Sequence, residues 1–266
     1  MIKIAVAGCA GRMGQRIIAL LAESPGFALG AGFEAPGHPA IGRDAAVVAG
    51  LTESGILIGD SPESAKGCRV FIDYSAPLAF EKNLEFCVRN GLALVVGTTG
   101  LSDSQKAKIT EASGRIAIVH APNMGVGINV LLSIVKQVAA VLGDTYDIEI
   151  IEAHHNKKTD APSGTALGLA EAAAEGLGVD LKGNAVYGRA GQVGERRHKE
   201  IGIHAVRGGD IIGEHTVIFA GPGEKVEISH SVISRDVFAK GAVRAAAFLS
   251  GKKNGLFNMK DVLGLA

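Results

Sequence analysis

The chain has 266 residues, enough for one large domain or two smaller ones. Its 27 Lys and Arg residues equal its 27 Asp and Glu residues, which argues against a basic surface for nucleic acid or anionic lipid. Aromatic residues make up 5% of the chain and Trp is absent, so platforms for stacking bases are not expected. The 37 glycines follow no collagen-like period and indicate many tight turns and close backbone approaches.

The cysteines and the N-terminus bear on the compartment. Cys9, Cys68 and Cys87 are odd in number, and no two are spaced as Cys-x-x-Cys, so we expect reduced thiols in a reducing compartment. Residues 1–7 are too short for the apolar region of a signal peptide. No apolar run reaches the roughly 18 residues of a membrane span. The sequence therefore predicts a soluble, cytoplasmic protein with no membrane partner.

Continuous apolar runs alternate with helical patterns through the first half of the chain. Five runs predict strands, at residues 2–7, 28–33, 69–73, 92–96 and 115–119. A helix follows the first strand, and another is predicted with Ser75 as its N-cap, Pro77 in its first turn and Gly91 as its end. Ser102 is predicted to cap a further helix, whereas residues 35–67 show no clear period. This alternation predicts a parallel sheet covered by helices on both faces.

The second half of the chain has a different pattern of predicted helices and strands. A helical pattern covers residues 127–142, and residues 146–153 then alternate with the period of a half-exposed strand. Three more strand-like segments follow with little helix between them, at residues 200–206, 214–220 and 224–233. A helical pattern returns after Arg235. We predict an α/β fold with two domains: an N-terminal Rossmann-like domain with a parallel sheet, and a second α+β domain with a mixed or mainly antiparallel sheet.

A glycine-rich turn follows the first strand. Gly8, Gly11 and Gly14 form Gly-x-x-Gly-x-x-Gly, and Glu34 stands 20 residues beyond Gly14 at the end of the second predicted strand. Glycines of this kind let the backbone approach a pyrophosphate, and an acid at that distance accepts hydrogen bonds from a ribose diol. A glycine triplet alone also marks ordinary tight turns, but the strand before it and the helix after it favour dinucleotide binding.

Other short segments refine this site. Ala35 stands where a basic residue would favour the 2′-phosphate of NADP, so the sequence leans towards NADH or dual use, with Arg12 as the nearest cation for a phosphate. Thr98, Thr99 and Asn123 follow predicted strands and offer polar groups for a nicotinamide or ribose. Ordinary turn formation and helix capping explain each of these three equally well.

Residues 152–166, EAHHNKKTDAPSGTA, concentrate titratable groups beside a helix start. His154 and His155 end a predicted strand, and Lys158 lies four residues beyond His154. The predicted helix that follows begins at the anion-binding groups Ser163, Gly164 and Thr165. The segment therefore predicts proton donors beside an anion site. Two adjacent histidines without further ligands at the usual spacings do not make a zinc site, so no metal is predicted.

Together these motifs resemble the 4-hydroxy-tetrahydrodipicolinate reductase family, also called dihydrodipicolinate reductase. The resemblance rests on GCAGRMG, GTTG, APNMGVGIN, HHNKKTDAPSGTA and RGGDIIGEHTVIFAGPGE, and it runs from residue 2 to the C-terminal GLFNMKDVLGL. It implies an oxidoreductase of lysine and diaminopimelate biosynthesis that uses NADH and/or NADPH. It further implies a dinucleotide-binding domain at 1–126 plus 236–266, and a domain at 127–235 that binds a cyclic dicarboxylate and builds a homotetramer.

The resemblance also implies roles for individual residues. His154 and Lys158 correspond to the family's proton-donating pair, and either could be the immediate donor. His155, Gly164 and Thr165 correspond to substrate-binding residues, and Ser163 joins them in the same helix start. The cofactor-binding positions correspond to Gly8, Cys9, Ala10, Gly11, Arg12, Met13, Glu34, Gly97, Thr98, Thr99, Ala121, Pro122, Asn123 and Met124. Ala35 replaces the Arg that many members carry, which argues against a strong NADPH preference.

Two other functions are compatible with parts of this sequence. A dehydrogenase for another small amino-dicarboxylate or a semialdehyde would suit the same architecture, but a thioester mechanism needs a cysteine in the catalytic region and all three cysteines lie in the first domain. A non-catalytic NADH-binding sensor is the other alternative. It has no need of His154 and Lys158 beside an anion site, so these residues argue against it.

Overall fold

The computed structural model describes residues 1–265 and divides the chain into two compact units. Unit 1 comprises Met1–Val126 and Arg235–Gly264, and unit 2 comprises Gly127–Ser234. The chain thus leaves unit 1 once and returns to it after the last strand of unit 2.

The strands of both units are, in chain order, β1 Ile2–Ala7, β2 Phe27–Phe33, β3 Ile58–Gly59, β4 Val70–Asp73, β5 Ala93–Val96, β6 Ala117–His120, β7 Asp147–His154, β8 Ala185–Tyr187, β9 Ile201–Arg207, β10 Gly213–Gly221, β11 Glu224–Val232 and β12 Gly255–Phe257. The α-helices are α1 Arg12–Glu23, α2 Ala45–Val48, α3 Pro77–Asn90, α4 Asp103–Ala112, α5 Val126–Leu142, α6 Gly164–Leu177, α7 Leu181–Asn184, α8 Asp236–Leu249 and α9 Met259–Leu263. Two 3₁₀ turns lie at Pro62–Ala65 and Gly143–Thr145.

Unit 1 is built on a seven-stranded sheet in the order β12-β6-β5-β4-β1-β2-β3. Every pair of neighbouring strands is parallel. One face packs against α1 and α8 and the other against α3 and α4, because consecutive strand residues such as Val70 and Phe71 point into different cores. The predicted Rossmann-like parallel sheet is confirmed. The short edge strands β3 and β12 were not predicted.

The predicted helix ends in unit 1 are confirmed with one exception. Gly91 ends α3 in a left-handed conformation with φ 65°, and the Ser102 side chain caps α4. The prediction that Ser75 caps α3 is wrong: Ala76 is the N-cap, and the Ser75 hydroxyl donates to a carboxylate oxygen of Asp73 at 2.6 Å. Because Asp73 is fully buried, that hydrogen bond satisfies a carboxylate that would otherwise be costly to bury.

Unit 2 is built on a five-stranded sheet in the order β11-β10-β7-β9-β8. It is mixed, since β7, β8 and β9 are parallel while β10 runs antiparallel to both of its neighbours. One face, the helix-covered face, packs on α5 and α6 and carries Ile148 and Ile150 of β7 and Phe219 of β10 in its core. The predicted second domain with a mixed sheet is confirmed.

The segment around α5 corrects one expectation. By length and composition alone, Val126–Thr145 could cross a membrane, with mean hydropathy 1.8, so the prediction that no apolar run reaches that length is wrong. In the structure Ile128, Leu131 and Val135 of this helix are buried in the core of unit 2. Because 33% of this apolar window is buried, packing in the core of unit 2 accounts for part of its composition.

Candidate active site

The glycine turn of unit 1 joins β1 to α1 through close backbone contacts. Gly8 has φ 70°, and a Cβ at this position would lie 2.5 Å from the carbonyl oxygen of Tyr74. A Cβ at Gly14 would lie 2.1 Å from the carbonyl oxygen of Gly8. Gly11 is the N-cap of α1 and brings no capping side chain. The start of this 12-residue helix therefore offers backbone N–H groups and a positive dipole end to an anion.

Glu34 is attached to this turn. It follows β2, and its carboxylate oxygen Oε1 accepts a hydrogen bond of 2.8 Å from the backbone N–H of Ala10. A cavity of about 540 Å³ opens beside them, lined among others by Gly8, Gly11, Glu34 and Ala35. Its walls also include apolar groups of α3, with Ala76 and Leu78. A turn for a pyrophosphate, an acid for a ribose and an apolar wall for a base together fit an adenine dinucleotide.

Several predicted cofactor residues have side chains that are buried or hydrogen-bonded within unit 1. The Cys9 thiol is buried, and this burial is the main reason that its pKa rises to about 12. The Thr98 hydroxyl is buried and donates to a carboxylate oxygen of Asp73 at 2.9 Å. The side-chain oxygen of Asn123 accepts from the backbone N–H of Gly125 at 2.9 Å. These side chains are engaged within unit 1, as expected if they shape the turns.

The remaining predicted cofactor residues lie in the same turns of unit 1. Gly97 follows β5, and a Cβ there would lie 2.3 Å from the ring of Tyr74, so only glycine fits beside that ring. Thr99 is exposed one residue after the buried Thr98. Arg12 and Met13 begin α1. Ala121, Pro122 and Met124 follow β6, where Met124 is part of the core.

In unit 2 the predicted proton donor His154 is the last residue of β7. Its Nδ1 lies 2.6 Å from Oε2 of Glu152, whose side chain is completely buried. Arg207, the register partner of His154 on β9, donates to both carboxylate oxygens of Glu152 at 2.7 and 2.8 Å. The backbone N–H of Ser163 donates to Oε1 at 2.9 Å. Four hydrogen bonds therefore converge on one buried carboxylate.

These contacts fix the charge state of the cluster. Burial pushes the pKa of Glu152 up, but the hydrogen bonds from Arg207 and His154 outweigh it and leave the pKa below its ordinary value. His215 lies on β10 with its ring edge-on to His154, 5.2 Å between centroids. Burial, followed by the nearby charge of His154, lowers the pKa of His215 to about 4. Glu152 is thus an anion at neutral pH, and His215 is neutral.

The anion site and the second predicted donor lie in the loop after β7. Ser163 is the N-cap of α6, and its hydroxyl accepts from the N–H of Ala166 at 3.1 Å and lies 3.2 Å from Nε2 of His215. The predicted helix start is confirmed, with Gly164 and Thr165 as its first residues. The ammonium of Lys158 pairs with Asp160 at 2.9 Å. Its side chain is 20% exposed, so it remains within reach of solvent. His155 directly follows β7, at the start of this loop.

Three residues of this cluster were not predicted: Glu152, Arg207 and His215. Glu152 and His154 are two apart on a strand and therefore share a face, which is a signal that the sequence does contain. Arg207 and His215 lie on other strands, so only the pairing of β9 and β10 with β7 brings them to the site. Within residues 1–265, no group of three or more His, Cys, Asp or Glu side chains has an arrangement that could hold a metal ion.

Comparisons with known proteins agree over the whole chain. Residues 2–124 match the family model described as dihydrodipicolinate reductase, N-terminus, and residues 127–263 match that of its C-terminus. Proteins named 4-hydroxy-tetrahydrodipicolinate reductase from Geotalea daltonii and Geobacter sulfurreducens are each 50% identical over 266 residues, covering 100% of both chains. A solved dipicolinate-bound dihydrodipicolinate reductase from Paenisporosarcina sp. TG-14 has the same fold, with TM-score 0.76 and 24% identity over 98% of this chain and 99% of that one. The chain belongs to the dihydrodipicolinate reductase family.

Proposed function

We propose that this protein catalyses the NAD(P)H-dependent reduction of 4-hydroxy-tetrahydrodipicolinate to tetrahydrodipicolinate in the diaminopimelate pathway to lysine. One observation carries the proposal. The chain belongs to this family, and one buried carboxylate, that of Glu152, contacts both the imidazole of His154 and the backbone N–H of Ser163 at the start of α6. Full-length relatives that bear the reductase's name, at 50% identity, support the same reaction.

The glycine turn, Glu34 and the adjoining cavity would hold the cofactor. The first turn of α1 would bind the pyrophosphate, and Glu34, next to the N–H of Ala10, would accept from a ribose hydroxyl. A bound nicotinamide supplies the hydride for the reduction. The cofactor class is supported by the fold, and Ala35 offers no cation to the extra phosphate of NADPH, which leaves Arg12 at the start of α1 as the nearest candidate.

The second unit would bind the cyclic dicarboxylate and protonate it. A substrate carboxylate fits the N–H groups of Gly164 and Thr165 at the start of the 14-residue helix α6, with His155 and Lys158 as further binding groups. The solved dihydrodipicolinate reductase from Paenisporosarcina has dipicolinate, a dicarboxylate, bound to it, which supports this ligand class. His154 or Lys158 would give the proton to the ring atom on which electron density builds after hydride arrival.

Assembly and compartment are further parts of the proposal. We infer a homotetramer formed through unit 2, and a cytoplasmic location. The face of the mixed sheet opposite the helix-covered face leaves Ile151 39% and Val206 48% exposed, which suits contact with further copies. Mass measurement in solution tests the assembly: a monomer at micromolar concentration would contradict it. Cell fractionation tests the location.

A coupled assay tests the reaction. Pyruvate and aspartate semialdehyde are condensed by the preceding synthase, this protein is added, and absorbance is followed with NADH or NADPH. The expected result is oxidation that requires the synthase product. A protein that binds NADH but oxidises neither cofactor when the synthase product is supplied would instead be a sensor or a dehydrogenase for another amino-dicarboxylate.

A further inference from the structure

Glu152 connects the parts of the candidate active site in unit 2. Its Oε2 faces Nδ1 of His154 at 2.6 Å, and its Oε1 accepts from the N–H of Ser163, the residue that caps the anion-binding helix. Arg207 holds both oxygens and also donates to the backbone carbonyl of Asp160 at 2.7 Å, in the loop that carries Lys158. One buried ion pair thus touches the proposed proton donor, the helix start and the lysine loop.

The hydrogen-bond donors around Glu152 determine which ring nitrogen of neutral His154 carries the hydrogen. Arg207 and the backbone N–H of Ser163 can only donate, and they occupy both oxygens of the carboxylate. An ionised Glu152 can only accept, so the Nδ1 atom that faces it must carry a hydrogen. Neutral His154 is then the Nδ1–H tautomer. Its Nε2 lies beside Gly213: a Cβ added at Gly213 would be 3.2 Å from this nitrogen.

We infer that Glu152, clamped by Arg207, is the positioning residue that holds His154 with Nδ1 protonated and so makes Nε2 the atom that exchanges a proton with the substrate. The inference rests on the proposed function, which assigns a proton transfer to this histidine. Glu152 acts through His154, because its own carboxylate is completely buried.

Other charged and titratable groups face His154 and enter any pH dependence. Arg207 approaches from β9, and His215 approaches edge-on from β10. His230 lies beyond His215 as its register partner on β11. Lys158 and Asp160 pair in the loop after β7. Glu152 is the only carboxylate of the described chain within hydrogen-bond distance of the His154 ring, so its removal is the specific perturbation.

The replacement Glu152→Gln makes a sharp test because it keeps the size and removes the charge. The N–H of Ser163 and one N–H of Arg207 force the amide oxygen into the Oε1 position, so the amide NH₂ faces His154 and the other N–H of Arg207, which loses its hydrogen bond. His154 must then accept at Nδ1 and carry its hydrogen at Nε2. The tautomer is therefore expected to invert, and the imidazolium is disfavoured because its Nδ1–H would face another donor.

A matched control lies three residues earlier on the same strand. Glu149 accepts from Arg189 at 2.8 and 2.9 Å and lies 2.6 Å from Nε2 of His204, which repeats the carboxylate, arginine and histidine arrangement on the opposite face of the sheet. Glu149→Gln removes a comparable ion pair from β7. It is expected to leave the His154 signals and the pH profile unmoved, with solution mass measured for both variants.

The measurements are imidazole nitrogen NMR of the full-length protein and kcat/KM against pH. The wild-type spectrum should show neutral His154 as the Nδ1–H form, and a wild-type Nε2–H form would overturn the inference without any variant. In Glu152→Gln the form should invert, kcat should fall roughly 10-fold to 100-fold, and the basic limb of the profile should move down by about one pH unit. The KM for NADH, which concerns unit 1, should stay unchanged.

If Glu152→Gln loses rate equally at every pH, keeps the wild-type tautomer of His154 and leaves the basic limb of the pH profile in place, Glu152 is only structural. That result overturns the inference. If Glu152→Gln does not fold, Arg207→Lys keeps the carboxylate and the sign of its partner, and should retain the Nδ1–H form with a smaller loss of kcat. A wild-type enzyme that shows the Nδ1–H form but turns over no synthase product would refute the proposed function and leave the tautomer assignment standing.

Discussion

Replacing Gly14 with alanine tests why the turn needs glycine at this position: because neighbouring backbone leaves no room for a Cβ, and not because the backbone conformation is one that only glycine adopts. Gly14 has no left-handed backbone, so alanine is not strained there by φ. The added Cβ would instead lie 2.1 Å from the Gly8 carbonyl oxygen and 2.6 Å from Cα of Cys9. Both neighbours are backbone atoms, so α1 and the turn must separate by about 1 Å to reach ordinary contact.

The magnitude follows from two opposing effects. Overpacking of this kind costs about 1–3 kcal/mol, and the better helix propensity of alanine offsets up to about 1 kcal/mol. A net loss of about 1–2 kcal/mol corresponds to a fall in Tm of roughly 3–6 °C. The same separation displaces the backbone around Gly8, so the Kd for NADH should rise by at least about tenfold, since misplacing one charge-assisted hydrogen bond costs that much.

Gly168→Ala is the matched control, because Gly168 also lies inside a helix. Its added Cβ would meet only Cδ2 of Leu132 at 3.6 Å, an ordinary contact. Alanine there should raise Tm by a few degrees and leave NADH affinity unchanged. Calorimetry and a fluorescence titration with NADH measure both effects. An unchanged Tm and an unchanged Kd for Gly14→Ala would refute the contact argument.

Three further predictions concern cofactor choice, the loop and acid stability. Ala35→Arg should raise kcat/KM for NADPH by about tenfold with little change for NADH, which rate assays with each cofactor would show; no gain would mean that position 35 does not face the 2′ group. Lys158→Ala should lower kcat/KM by about 100-fold or more while the neighbouring Lys157→Ala stays near wild type, and equal rates for the two would remove Lys158 from the site. Since the pKa of His215 falls to about 4, the unfolded chain takes up its proton from pH ~6.5 downward while the folded chain resists, so stability should fall by up to about 3 kcal/mol as pH drops from 6.5 to 4. His215→Gln should flatten that slope in denaturant melts, and an unaltered slope would contradict the assignment.

Local sequence signals predicted most of unit 1 because its strands are continuous apolar runs ended by glycine or polar residues. They missed β3 and β12, which contain two and three residues and lie at the two edges of the sheet. Segments that short carry no period, so pairing with a neighbour decides their structure. Ser75 failed as a cap for a related reason. A buried carboxylate at Asp73 competes for its hydroxyl, and the burial of Asp73 depends on tertiary packing.

The candidate active site divides in the same way. His154, Lys158 and the Ser163 helix start are local in sequence, so their chemistry could be predicted from one segment. Arg207 is 55 residues from Glu152 and reaches it only through the parallel pairing of β7 with β9. No spacing rule within one segment connects such a pair. The sequence therefore predicts the candidate proton donors but not the ion pair beside them.

Two of the three carboxylates of β7, Glu149 and Glu152, show why composition alone does not locate the active site. Glu149 and Glu152 each bind arginine and histidine, yet they lie on opposite faces of one strand because they are three residues apart. On the outer face Glu149 stays 21% exposed, and its partners hold the loop before β9 on the sheet. On the helix-covered face Glu152 is completely buried beside the start of α6. Burial makes an unpaired charge costly, so the inner cluster must keep one arrangement of its hydrogens, whereas the outer cluster can exchange its partners for water. A fixed hydrogen arrangement beside an anion-binding helix start is what a directed proton transfer needs, and only the inner face of β7 provides both.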